Sequence, residues 1–419
     1  MSPRRREFLR QIAAGGAALA ASPSARSALL EGSLSNPCGD PLPAELAKHP
    51  IVTAAWSGID PARYWDCHAH IAGTGDSGGG IYVSPDMTRW WHLTQFIQYK
   101  FYLNAGCTHR GEVDLSYVKR LLHLVDEFEP GAKVMLFAFE QAYDQAGRAM
   151  PDQTAFHVPN IFARELARGH PGYFEWVCSI HPYRADAIDA LAAAASEGAR
   201  AVKWLPSAMG IDPASPSCDA FYRSLARLNL PLICHSGGEN AVHGANFIDA
   251  NNPLKLRRAL DAGVRVVMAH CASIGEDIDL DSGANSPRVP SFQLFTRMMA
   301  DKRYQQHLFA DISAITQRNR KVEVLRAIIE HDDWHPRLLN GSDYPLPGVL
   351  PIFSPRRLSG AGLLDSEVVP VLNEIRNYNS LLFDFVLKRQ LRIGNLRFSV
   401  DVFHTRDFFL AKPEQKSTD

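Results

Sequence analysis

The 419 residues contain no unbroken apolar run of the ~18 needed to cross a bilayer, which excludes a spanning helix. Charge of one sign is also missing: Lys+Arg number 44 against Asp+Glu 45, with no basic stripe, so no nucleic-acid partner is expected. The seven cysteines show neither CxxC nor zinc-ribbon spacing, and an odd count argues against a full disulfide framework. Cys67, Cys178, Cys234 and Cys271 fall within or beside apolar runs and read as small buried hydrophobes, so cysteine usage leaves the compartment undecided. No repeat of fixed period appears, which excludes a solenoid. A hydrophobic content of 46% and a formal charge of -1 describe a globular chain able to bury a large core.

The conspicuous stretch is Tyr64-Trp65-Asp66-Cys67-His68-Ala69-His70, an apolar run ending in His-x-His. On a strand, alternate side chains share a face. The spacing therefore predicts His68 and His70 together on one face, with Cys67 and Ala69 on the other. Two neutral imidazoles so placed can clasp one divalent ion, zinc or a first-row neighbour.

Taken in order, the chain opens with a segment that is not fold. Arg5-Arg6, followed by Phe8-Leu9 and the weakly apolar Ile12 to Ala21, resembles a twin-arginine export signal, and Ala18-Leu19-Ala20 offers a small-x-small cleavage site. Residues 1–22 are thus expected to be a signal peptide, 23–50 a linker, 51–411 the folded domain and 412–419 a frayed tail. A periplasmic protein, exported folded, is the expectation. Eight short apolar runs follow: 64–70, 133–139, 174–181, 200–205, 230–235, 264–270, 308–312 and 337–343. Amphipathic helical patterns lie between most of them, as at Leu115, Val118, Leu121, Leu122 and Val125, and from Ile188 to Ala195. Alternating strands and helices imply parallel pairing, and eight units fit an α/β (β/α)8 TIM barrel. A long insertion after the first strand, Ile71 to Gly131, carries Trp90, Trp91, Phe96, Tyr99, Phe101 and Tyr102 and reads as a lid or as a helix packed on the barrel. The C-terminal extension is expected to hold one helix, 367–389, and a strand, 398–403.

Polar residues fall where such a barrel would gather them. Lys203 lies near the end of the fourth run, His235 ends the fifth, His270 the sixth and Asp343 the eighth. Strand C-termini converge on one mouth, where barrel active sites sit. Several ionisable groups buried together without a metal or close pairing would be costly. His181, at the end of the third run, with Glu239 and His243 in the loop after His235, are candidate substrate-facing residues; Asp311, in the seventh run, reads as a structural strand-end carboxylate.

These motifs resemble the amidohydrolase superfamily over about residues 60–350, in the amidohydrolase-related branch that includes aminocarboxymuconate-semialdehyde decarboxylase and resorcylate-type decarboxylases. The resemblance implies that His68, His70, His235 and Asp343 ligate one metal. It makes His270 a ligand to a second metal or a catalytic imidazole, and it matches Lys203 to a lysine that is carbamylated between two metals in binuclear members. One or two divalent ions, zinc foremost, are then the expected cofactor. Chemistry agrees: a catalytic metal needs few deprotonated ligands and an open position, and a carboxylate at the mouth can move the water proton. Asp343 is the expected proton carrier. A metal-dependent hydrolase of a small-molecule amide, ester or lactone is the first expectation, a decarboxylase on the same barrel the alternative. A homo-oligomer is left open.

Overall fold

All eight apolar runs become strands: β1 Trp65–His70, β2 Lys133–Phe137, β3 Phe174–Val177, β4 Val202–Trp204, β5 Leu232–His235, β6 Val266–Ala269, β7 Leu308–Asp311 and β8 Leu338–Leu339. The computed structural model describes residues 35–411 apart from 239–241, 243, 244, 246, 247 and 284. The signal segment 1–22, the tail 412–419, Glu239 and His243 lie outside the described residues.

Strands β1, β2 and β3 form one parallel sheet and β4 to β8 another, each strand beside its sequence neighbour. Parallel bridges Cys178↔Val202 and Ala69↔Tyr344 join the two sheets at both edges. The eight strands thereby close in cyclic order as a (β/α)8 barrel. Each strand is followed by a helix: α1 Val113–Asp126, α2 Asn160–Gly169, α3 Ala187–Ser196, α4 Asp219–Leu228, α5 Arg257–Asp261, α6 Ser291–Ala300, α7 Val322–Glu330 and α8 Val368–Tyr378. Among the described residues, no helix is long and apolar enough to cross a membrane.

Two apolar layers follow from the period-2 alternation of the strands. Trp65, Cys67, Met135, Phe137, Val177, Ala201, Ile233, Val267 and Leu339 form an inner cluster with Phe409. Val134, Leu136, Val202, Cys234, Val266 and Met268 face outward into the larger cluster shared with the helices. Lys203, His235 and Asp311 lie two positions beyond Ala201, Ile233 and Phe309, so they stand on the inner face, one step nearer the mouth. Strand β1 departs from simple alternation: its register shifts between Asp66 and Ala69. Cys67 consequently joins the inner cluster and not the face of Ala69, while His68 and His70 still converge. A bulge re-aims side chains in this way.

Three expectations need correction. The linker 23–50 is not free of structure, because from residue 36 onward it packs on the barrel. Asn36 and Leu42 are buried, short helices span Ala44–Ala47 and Pro50–Ala55, and Leu42 N donates to Glu127 Oε1 at 2.6 Å. The helix 367–389 is two, α8 and α9 (Ser380–Gln390), because Asn379 interrupts it. Its side chain caps Leu382 N at 2.8 Å and donates to Leu124 O, ending one helix and starting the next. The strand at 398–403 is a 3-10 turn, Val400–Phe403, in which the Ser399 hydroxyl caps Asp401 N.

The insertion after β1 packs a helix, Leu93–Ala105, through Tyr99, Leu103 and Ala105, leaving Trp90 and Trp91 exposed. Its far end is covalently tied. Cys38 and Cys107 form a disulfide across 69 positions of sequence, and the other five cysteines are free and buried. A loop of that length constrains the unfolded chain strongly. Converting both cysteines to serine is expected to lower stability by about 2–4 kcal/mol, read as a lower urea midpoint. An unchanged midpoint would mean that the bridge constrains nothing.

Candidate metal centre

The mouth of the barrel gathers imidazoles and carboxylates from β1, β6, β7 and β8. Asp343 Oδ1 lies 3.4 Å from His68 Nε2 and 3.3 Å from His70 Nε2. Ligand atoms of these three residues lie within 4.8 Å of one another. His68 and Asp343 are buried, whereas the His70 side chain keeps 29% exposure, so the cluster opens to solvent on its side.

Hydrogen bonds fix which nitrogens face inward. His68 Nδ1 lies 2.9 Å from Asp311 Oδ2, and His270 Nδ1 lies 2.7 Å from Ser313 Oγ and 3.2 Å from the Ser313 carbonyl. Ser313 Oγ in turn donates to Asp311 Oδ1. A carboxylate and a carbonyl can only accept, so both imidazoles carry their proton on Nδ1 and present the Nε2 lone pair to the mouth. His68, His270 and Asp311 also form a tight group. Yet His68 cannot ligate through a protonated Nδ1, so Asp311 orients His68 instead of sharing an ion with it. Carboxylates behind metal-bound histidines act in this way.

The backbone is bent to reach these positions. Asp343 has φ 63°, and His270, Cys271 and Ala272 follow one another at 58°, 51° and 45°. Non-glycine residues in the left-handed region are strained and cluster at functional sites. Here His270 N donates to Asp311 Oδ1 at 2.9 Å and Asp343 N to His68 O at 2.7 Å, which hold both bends.

Burial, reinforced by the Lys203 ammonium, pushes the His68 pKa down to about 4, and burial holds His270 well below the usual histidine range. Burial alone would raise Asp343, but the surrounding His270, His68 and His70 outweigh it and keep the carboxyl well below its ordinary value. Neutral imidazoles and an ionised carboxylate are the protonation states a divalent ion requires. The donor set therefore fits such an ion.

The remaining expected site residues divide. Lys203 Nζ sits 3.1 Å from His68 Nε2 and 4.9 Å from the Phe137 ring centroid, wholly buried. As an ammonium it competes with a cation for that lone pair. His235 stacks near His270, with centroids 5.2 Å apart, but its Nε2 is 3.2 Å from Gly238 O, turned to its own loop. His181 is not substrate-facing. It is fully buried, accepts from Tyr183 N on Nδ1 and donates from Nε2 to Met209 O, so both nitrogens are committed. Asp311, a strand-end carboxylate that the sequence presents as structural, holds His68 Nδ1 and His270 N and so orients both. The signal was present: it ends the seventh run just as the other ionisable residues end theirs. Ser313, two residues on, had no sequence signal at all.

Two solved structures illustrate the matches. One is an uncharacterised TIM-barrel protein from Bordetella bronchiseptica, 15% identical, with 68% of this chain and 86% of that one covered and a TM-score of 0.45. The other is a 5-carboxyvanillate decarboxylase from Novosphingobium aromaticivorans with bound manganese, 10% identical, with 84% and 99% covered and a TM-score of 0.41. No curated protein sequence matches significantly. The amidohydrolase family profile matches residues 65–351, which include β1 to β8 and every residue of the cluster above. The chain belongs to the amidohydrolase family of metal-dependent enzymes.

Proposed function

We propose that this enzyme hydrolyses a C–N or C–O bond in a small amide, ester or lactone, with zinc held by His68, His70 and Asp343. The observation that carries the reading is Asp343. One of its oxygens reaches both histidine Nε2 atoms, and the other lies 4.0 Å from His270 Nε2. A carboxylate so placed can serve a metal with one oxygen and a proton with the other. A divalent ion in this donor set supplies Lewis acidity, polarising a substrate carbonyl and lowering the pKa of a water. Asp343 accepts the proton that water loses on attack and passes it to the departing nitrogen or oxygen. His70, partly exposed, lines the approach. His270, kept neutral by burial with its proton on Nδ1, has no proton on Nε2 to give. That disfavours its use as the acid that would quench a carbanion after decarboxylation.

A panel of lactones, amides, esters and aromatic carboxylates, assayed in oxygen-18 water with carbon dioxide detection, tests this reading. Label is expected in the product, and chelation should abolish turnover until zinc is restored. Carbon dioxide release without label would establish the decarboxylase instead. Manganese, supplied in parallel, decides the identity of the metal.

Export is part of the same proposal. Arg5-Arg6 with Phe8-Leu9 supports the twin-arginine route, and the Cys38–Cys107 bridge suits an oxidising compartment. Replacing both arginines by lysine should leave the precursor in the cytoplasm on fractionation. Undiminished protein in the periplasm would refute it.

A further inference from the structure

Behind the metal centre, on the far side of β8, lies a second buried ionic group. Lys388 and Asp384, both on α9, are 0% and 1% exposed and hydrogen-bond to each other. Lys388 Nζ also donates to the Gly341 carbonyl at 2.6 Å. Asp384 Oδ1 is buried with no hydrogen-bond partner among the described residues. The family match ends at residue 351, so both residues belong to the C-terminal extension beyond it.

Gly341 connects this pair to the site. Its backbone lies so close to β1 that an added Cβ would stand 2.6 Å from His68 Cβ and 3.1 Å from His68 N. Ser342 N donates to Asp66 at 2.8 Å, and Asp66 accepts His68 N at 3.1 Å through the same oxygen. Asp343, next in the chain, donates its N–H to His68 O. Whatever holds the Gly341 carbonyl thus holds the separation between His68 and Asp343. As a device for stability alone the pair is poor: a buried ion pair is often no better than apolar groups of the same size, and an unmet carboxylate oxygen makes it worse. Local rules broken in this way point to a functional constraint.

We propose that Lys388, steadied by Asp384, is a positioning residue that anchors the Gly341 carbonyl and so sets His68 and Asp343 at the spacing a divalent ion needs. The proposal rests on the reading of His68, His70 and Asp343 as metal ligands. Residues behind a metal shell commonly change affinity about 10–100-fold when removed.

The test uses metal affinity, measured on the full chain by competition of zinc and, separately, manganese with a chelating dye. Lys388→Met/Asp384→Leu replaces the pair with apolar groups of similar size. Its melting temperature is expected to stay near that of the wild type while metal affinity falls by about tenfold or more. Wild-type affinity in this variant overturns the proposal and leaves the metal site standing. A wild-type protein that binds neither ion overturns both. A second measurement needs no variant, since coupling between two sites is reciprocal. Stripping the metal should raise hydrogen exchange in peptides covering 380–390 as well as 338–345. Identical exchange at 380–390 with and without metal would also refute the anchor.

Discussion

Asp343→Asn is expected to lower kcat/KM by on the order of 10³-fold or more and to reduce bound metal. Asparagine keeps the shape of the side chain and tolerates the left-handed backbone at φ 63°, so the bend after β8 should survive. What is lost is charge. The carboxylate that faces His68, His70 and His270 becomes an amide that can neither balance a divalent ion nor take up a proton. Circular dichroism should show a native fold, elemental analysis less metal, and the assay almost no product. A variant retaining a tenth of wild-type turnover would remove Asp343 from the proton path.

Gly341→Ala should damage the barrel wall at the seam between β1 and β8. The new Cβ would meet His68 Cβ at 2.6 Å and His68 N at 3.1 Å, and neither atom is the free end of a flexible side chain. Overpacking of this kind costs about 1–3 kcal/mol, and the upper end is expected because relief requires β1 to move away from β8. Gly169→Ala, at the end of α2 with nothing within 4 Å of its added Cβ, is the control and should be neutral. Thermal melts of the two variants decide it. Equal midpoints would mean that the seam between β1 and β8 is looser than its hydrogen bonds suggest.

Legibility was uneven, and the reasons are physical. The eight strands were readable because a barrel strand buried on both faces must be a nearly continuous apolar run. α1 and α3 were readable because each must bury one stripe, although Leu115 of the expected α1 stripe is exposed and Tyr117 and Leu124 are buried in its place. The break at Asn379 was not, because it depends on Leu124 and Glu127, more than 250 positions away. The segment 36–50 misled through its composition: Pro and Ala suggest a linker, yet Leu42 and Asn36 are held by contacts with α1 and the insertion helix.

The same division runs through the site. Sequence alone located His68, His70, Lys203, His270 and Asp343, since strand ends of a parallel barrel share one mouth whatever the details of packing. The family was legible too, through the resemblance those motifs carry, and the match over residues 65–351 bears it out. Only the tertiary structure decided what each of these side chains meets. It showed Asp311 and Ser313 fixing the tautomers of His68 and His270, both nitrogens of His181 spent on backbone, and His235 turned towards Gly238. It also brought Lys388 from beyond the barrel to the back of Gly341. A strand's period says which face a side chain leaves from. Which atom it meets there depends on bulges, bent backbones and partners far off in the chain, and those exist only once the barrel has closed.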